Sequence, residues 1–331
     1  MAAIEIEGLR KRFGSDAIAV DGIDLTVTEG EVFGFLGPNG AGKSTTINLM
    51  LDFIRPTAGR IEVFGTDVQA DPLAVRERVG VLPEGYGFDE PLLGREYLEW
   101  AIETKDAGDD PDALLELVGL AEDADRYATE YSKGMQQRLA FAMALVDDPD
   151  LLVLDEPSTG LDPNGMQQMR DVVRDRAANG TTVFFSSHIL SEVQAVCDRV
   201  GVMNDGELVA VDTIEGLQEG LGGRSSITLE CADRPDDRAV ERVDGVVDVA
   251  VDGTTVDVTC ARTGAKAEVV THLAERTRVD DIRSEGASLQ SLFSELTDGG
   301  RDGDAPPSTS DGTQASDGTD EGGDAHAEVS R

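Results

Sequence analysis

Apolar and polar residues alternate near the start of the chain. IEIEGL and AVDGIDLTV make every second side chain hydrophobic, the period of a half-buried strand. VFGFLG (32–37) is almost wholly apolar, which predicts a central strand covered on both faces. After a Gly-rich loop, STTINLMLDF reads as a helix stopped by the turn RPTAG, and IEVFG as another strand. Helical spacing dominates from 91 to 146, with Leu92, Tyr97, Leu98 and Trp100 early and Leu114, Leu115, Leu117 and Val118 later. LLVLDEP (151–157) and TTVFFSSH (181–188) return to continuous apolar runs, separated by the helical MQQMRDVVRDRAA. Strands alternating with helices imply an α/β fold, a parallel core sheet carrying a helical insert.

A Gly-rich break spans 216–223. Beyond it SSITLEC, DDRAVERV, VVDVAVDGTTVDVTC and AKAEVVTHLAERT predict a small α+β domain, with Asp252-Gly253 at a hairpin turn. From 298 onward Gly, Asp, Ser and Thr leave almost nothing apolar, so a disordered acidic tail is expected. The expected organisation is a main domain over 1–217 with a helical subdomain at about 85–147, a smaller domain over 223–297, and the tail over 298–331.

Composition adds limits. Hydrophobic residues make up 40% of the 331, enough for a normal core. No run approaches the ~18 apolar residues that cross a bilayer, and MAAIEIEGLRKRFG lacks the apolar stretch of a secretory signal. The chain is therefore expected to be cytoplasmic and to reach a membrane only through a partner. There are 66 acidic against 28 basic residues, a net charge of −38; the tail holds nine acids and two bases, leaving −31 for the rest. Such a surface disfavours nucleic acid, which needs a basic footprint. It suits a halophilic setting, where salt screens self-repulsion; an acidic patch for one basic partner is the alternative. Cys197, Cys231 and Cys260 show no C-x-x-C spacing and are expected to be buried small residues.

Candidate chemistry begins with Gly37, Pro38, Asn39, Gly40, Ala41, Gly42, Lys43, Ser44 and Thr45, a full match to G-x-x-x-x-G-K-[ST]. Backbone N–H groups of such a loop wrap phosphates at a helix N-terminus, where the dipole favours negative charge. By that motif Lys43 reaches the β- and γ-phosphates and Ser44 ligates Mg²⁺. The apolar strand LLVLD delivers Asp155 to its carboxyl end, where a carboxylate can hold the magnesium shell, and Glu156 follows it. Ser132 is placed to cap a helix through Met135, Leu139, Ala142 and Val146. A hydroxyl and free N–H groups at such a start suit a γ-phosphate.

YSKGMQQR (131–138), just upstream of LLVLDEP, resembles the signature loop of ABC transporter ATP-binding subunits, usually Ser-Gly-Gly-Gln; its Lys133 and Met135 resemble exporter-type members. The resemblance runs from about residue 4 to 217. It implies a P-loop NTPase core whose parallel sheet is flanked by antiparallel strands. It also implies that Ser132, Gly134 and Gln136 complete the ATP site of a partner subunit, homodimeric or a second ATP-binding chain. Glu156 would orient or activate the attacking water, His188 would contact the γ-phosphate, and Pro157 to Asp162 would link the two sites. Phe13 is either a core aromatic or, by the resemblance, the ring on which adenine stacks. Where the family usually places a magnesium-sensing Gln, VGVLPEGYG has Glu84, which can still bind metal or water but loses an amide donor. ASLQSLFSELT (287–297) resembles the end of the accessory region of exporter ATPases.

The implied function is a magnesium-dependent ATPase that dimerises around ATP and drives a multi-spanning permease subunit at the inner membrane face, for export. A soluble ABC-type ATPase of DNA repair or translation is the alternative, although such proteins usually carry coiled-coil inserts or two cassettes. A binding module without hydrolysis is opposed by the intact Lys43, Asp155, Glu156 and His188.

Overall fold

The computed structural model describes residues 1–14, 17–220, 225–261 and 263–285. The acidic tail expected over 298–331 and the segment 287–297 lie outside the described residues. Among them, fourteen strands and ten α-helices follow one another. The strands are β1 (Ala2–Phe13), β2 (Ala17–Thr28), β3 (Val32–Leu36), β4 (Ala58–Val63), β5 (Thr66–Asp67), β6 (Val79–Leu82), β7 (Leu151–Asp155), β8 (Thr182–Ser187), β9 (Arg199–Asn204), β10 (Glu207–Thr213), β11 (Ser225–Cys231), β12 (Val246–Asp252), β13 (Thr255–Cys260) and β14 (Val279–Glu285). The helices are α1 (Lys43–Met50), α2 (Pro72–Glu77), α3 (Gly94–Lys105), α4 (Pro111–Leu117), α5 (Lys133–Ala144), α6 (Pro163–Ala178), α7 (Leu190–Val196), α8 (Ile214–Gly220), α9 (Asp237–Val240) and α10 (Thr263–Ala274).

Six strands form the central sheet in the order β10-β9-β3-β8-β7-β6. Every pairing from β9 to β6 is parallel, and β10 closes one edge antiparallel to β9. The expected flanking antiparallel sheet is β2-β1-β4-β5. Two cores explain why the central strands read as continuous apolar runs. Val32 and Leu36 of β3, Leu152 and Leu154 of β7, and Val183 and Phe185 of β8 face the helices. Their neighbours Phe33, Phe35, Leu151, Val153 and Phe184 face the antiparallel sheet and α1. With period 2 along a strand, both sets must be apolar when both faces are covered. Fully burying each such side chain contributes roughly 1.5–3 kcal/mol.

The helical insert consists of α3, α4 and α5, with Leu98, Leu115, Leu139 and Phe141 turned into the helix-side core. Beyond α8 a third sheet, β12-β13-β11-β14, backs onto α9 and α10. Ile227, Leu229, Val256 and Val258 lie inward there, while Thr228 and Asp257 are bonded on the other face. The β12–β13 turn sits where Asp252-Gly253 was expected, with Asp252 paired to Thr255. β14 is the strand that periodicity does not announce: VDDIRSE is mostly charged and gains its strand character by pairing with β11. All three cysteines are free and buried.

Candidate nucleotide site

The carboxyl ends of β3, β7 and β8 converge on one edge of the central sheet. The loop after β3 runs into α1 through Gly42, which adopts φ +106°. A Cβ at Gly42 would come within 2.2 Å of the Ala19 carbonyl oxygen, so the loop needs glycine there both for conformation and for space. Thr46 Oγ1 donates to the Gly42 carbonyl at 3.0 Å and ties the first turn of α1 to the loop. Pro38 is half-buried, while Asn39 and Gly40 are exposed at its tip. Gly37 and Ala41 are buried beneath them, and Ser44 and Thr45 are half-buried on α1.

Lys43 is curled into this loop. Its Nζ donates to the carbonyls of Gly37 at 2.7 Å and Pro38 at 3.3 Å, and lies 3.4 Å from Glu156 Oε1. The other carboxylate oxygen, Glu156 Oε2, is 2.8 Å from His188 Nδ1. Lysine and glutamate are both about 6% exposed in their side chains, whereas the histidine is 44% exposed and opens the cluster to solvent. A buried ammonium and carboxylate are each costly unless paired. Glu156 itself stands at φ +48°, with its N–H donating to the Ser186 carbonyl at 3.1 Å. Ser187 Oγ donates to Glu192 Oε2 and accepts from Ile189 N–H, bracing the turn that carries His188.

Asp155 ends β7 at 4% exposure, and its Oδ1 is a buried oxygen without a hydrogen-bond partner among the described residues. An orphaned carboxylate oxygen beside a glycine-lined loop fits a hard divalent cation, which takes oxygen ligands. Glu84 is exposed in the turn after β6 and is joined to this cluster by no hydrogen bond among the described residues. Phe13 is 47% exposed, with Lys11 Nζ 4.9 Å over its ring, so the core alternative for this aromatic is overturned.

Ser132 caps α5, its Oγ accepting from the Met135 N–H at 3.3 Å. Gly134 is half-buried, and Gln136 Nε2 donates to the Ala128 carbonyl at 3.2 Å. These three stand on the helical insert and share no hydrogen bond with Lys43 or Glu156. Sequence reading passed over Gln137. It is 6% exposed and donates from Nε2 to the Pro157 carbonyl at 3.0 Å. A second Gln beside the signature was the available signal, but nothing local says that it turns inward.

A family model described as ABC transporter matches residues 20–159. The chain is 42% identical over 226 residues to the daunorubicin resistance ATP-binding protein DrrA3 of Streptomyces coeruleorubidus, covering 67% of this chain and 71% of that one. It is 36% identical over 296 residues to a fluoroquinolones export ATP-binding protein of Mycobacterium tuberculosis, covering 89% of this chain and 93% of that one. Among solved structures, an ATP-binding subunit of an ABC transporter superposes with a TM-score of 0.62 at 26% identity, over 66% of this chain and 93% of the other. With its phosphate loop and paired sheets, the chain belongs to the ABC transporter ATP-binding proteins, the ATPase subunits of these transporters.

Proposed function

We propose that this chain is a magnesium-dependent ATPase that closes as a dimer around two ATP molecules and drives a separate membrane-spanning permease for export. The observation that carries the catalytic part is the chain Lys43–Glu156–His188, its first two members buried and its histidine open to solvent, with the orphaned Asp155 oxygen at the preceding position. Export is supported by the two relatives, whose names speak of drug resistance and of export.

The residues would act as follows. N–H groups of the loop between Asn39 and Thr45 receive the phosphates, and Lys43 exchanges the Glu156 carboxylate for phosphate oxygens. Asp155 and Ser44 would hold Mg²⁺, with Glu84 as an outer ligand through water. The metal supplies charge neutralisation on the phosphates, which is most of what phosphoryl transfer needs. Released from Lys43, Glu156 orients the attacking water and can accept its proton, while His188 passes from Glu156 to the γ-phosphate. Phe13 offers its exposed face to adenine. Ser132, Gly134 and Gln136 meet the nucleotide held by the second copy.

As part of this proposal, the permease contact is assigned to a groove beside β6. Val79, Val81, Pro83 and Tyr86 beside β6, with Ala101 and Lys105 of α3 and Ala140 and Met143 of α5, line a groove of about 240 Å³. Phe88, Tyr97 and Leu98 are buried, which in this reading leaves the groove lining as the surface offered to the partner. No helix among the described residues is long and apolar enough to cross a membrane. The test is ATP turnover by purified protein with and without Mg²⁺, compared with Glu156→Gln. The variant should bind ATP normally and lose at least about a hundredfold in turnover, the scale of general base catalysis. Unchanged turnover would remove Glu156 from the mechanism.

A further inference from the structure

The corner that carries Glu156 is gripped from the helical side. Gln137, buried on the second turn of α5, donates to the Pro157 carbonyl at 3.0 Å. Pro157 has no N–H and its ring fixes φ, so its carbonyl is the backbone handle available at that corner. Two further contacts join the same segments. Gly134 lies so close to Gly160 that a Cβ would stand 2.7 Å from the Gly160 carbonyl oxygen. Arg138 Nη2 meets Asp162 Oδ1 at 3.0 Å. Residues 134, 137 and 138 are i, i+3 and i+4 on one helix, and so share one face.

We propose that Gln137 is a positioning residue for Glu156. Through Pro157 it ties the carboxylate-bearing corner to the first turns of α5, so that the start of α5 and Glu156 move as one body. The inference rests on the reading of Glu156 as the group acting on water. It adds that the segment 132–136, which would meet the second copy's nucleotide, is joined through the buried Gln137–Pro157 hydrogen bond to the corner that carries the reactive carboxylate of its own site. Removing the amide donor leaves the Pro157 oxygen buried and unpaired, a state the corner can relieve only by shifting.

Full-length Gln137→Met and Gln137→Leu, both close in volume and without a donor, are measured for kcat, for affinity towards trinitrophenyl-ATP and for melting temperature. Each is made alone and on a Glu156→Gln background. The expected result is a kcat about tenfold lower with nucleotide affinity held within about twofold, and no further loss of residual turnover beside Glu156→Gln, since groups that act through one another are not additive. If one variant fails to fold, the other decides. Unchanged kcat in the folded variants, or a full further loss on the Glu156→Gln background, would overturn the proposal and leave Gln137 as packing. Wild-type protein that hydrolyses no ATP would overturn the reading of the site beneath it, an outcome separable from the other two.

Discussion

Glu156 occupies the left-handed backbone region at φ +48°, where a non-glycine residue costs on the order of 1–2 kcal/mol. Its N–H bond to Ser186, the Lys43 ammonium and the His188 ring hold it there. Only the identity of Asp155-Glu156 at a strand end is legible in the sequence. Both the strain and the partners come from chain segments far away. Lys105 shows the same dependence in reverse. It is one of five lysines in the chain, and burial pushes its ammonium below the ordinary lysine value, against the opposite pull of Asp147 and Asp109. The unfolded chain therefore holds this proton more tightly, so stability from this group rises with pH between the folded value and 10.5. Losing the 3.1 Å bond to the Val146 carbonyl sets some offset at pH 7 for Lys105→Met. As pH rises towards 10.5, the wild-type melting temperature should gain on that of the variant. A gap that stays constant or moves the other way would refute the shift.

At the scale of elements, the strands that read most clearly were those whose burial forces a simple pattern. β3, β7 and β8 are apolar throughout because both faces are covered, and α5 starts where Ser132 can cap it. β14 was not legible, since its charged residues hold a strand only through the β11 ladder. The groove beside β6 was not legible either. It forms where three elements separated by some twenty to sixty residues leave a gap, and its lining includes small residues such as Ala101 and Ala140 that no hydrophobic pattern singles out. Ala101→Arg would fill this groove with a bulky cation one turn from the Lys105 ammonium, leaving no partner for the added charge and no room for an apolar segment. The variant should keep its ATPase activity in solution and lose co-sedimentation with native membranes. Membrane association equal to that of wild type would show that the permease docks elsewhere.

At the scale of the whole molecule, charge decides. Exposed pairs such as Arg60–Glu7 at 2.9 Å and Arg78–Asp150 at 2.6 Å contribute about 0–1 kcal/mol each and weaken in salt. They are set against −31 outside the tail, whose repulsion salt also screens. The excess of like charge is the larger effect, so melting temperature should rise by several degrees from low salt to 1 M KCl, as the Debye length falls to about 3 Å. A melting temperature that falls or does not change would instead favour an acidic surface built for one basic partner.

The sequence by itself determined what contiguous residues can encode. These are the apolar runs, the glycine-dependent phosphate loop, the carboxylates after β7, the capped start of α5 and the acidic balance, because backbone preference, periodicity and charge are local or additive properties. Tertiary structure alone decided that Lys43 meets Glu156 across 113 positions and that His188 closes on the same carboxylate. It also put Phe13 at the surface and turned Gln137 inward onto Pro157. Such contacts depend on which strand lies beside which and on what covers each face, and a residue's own neighbours in the chain carry no record of either.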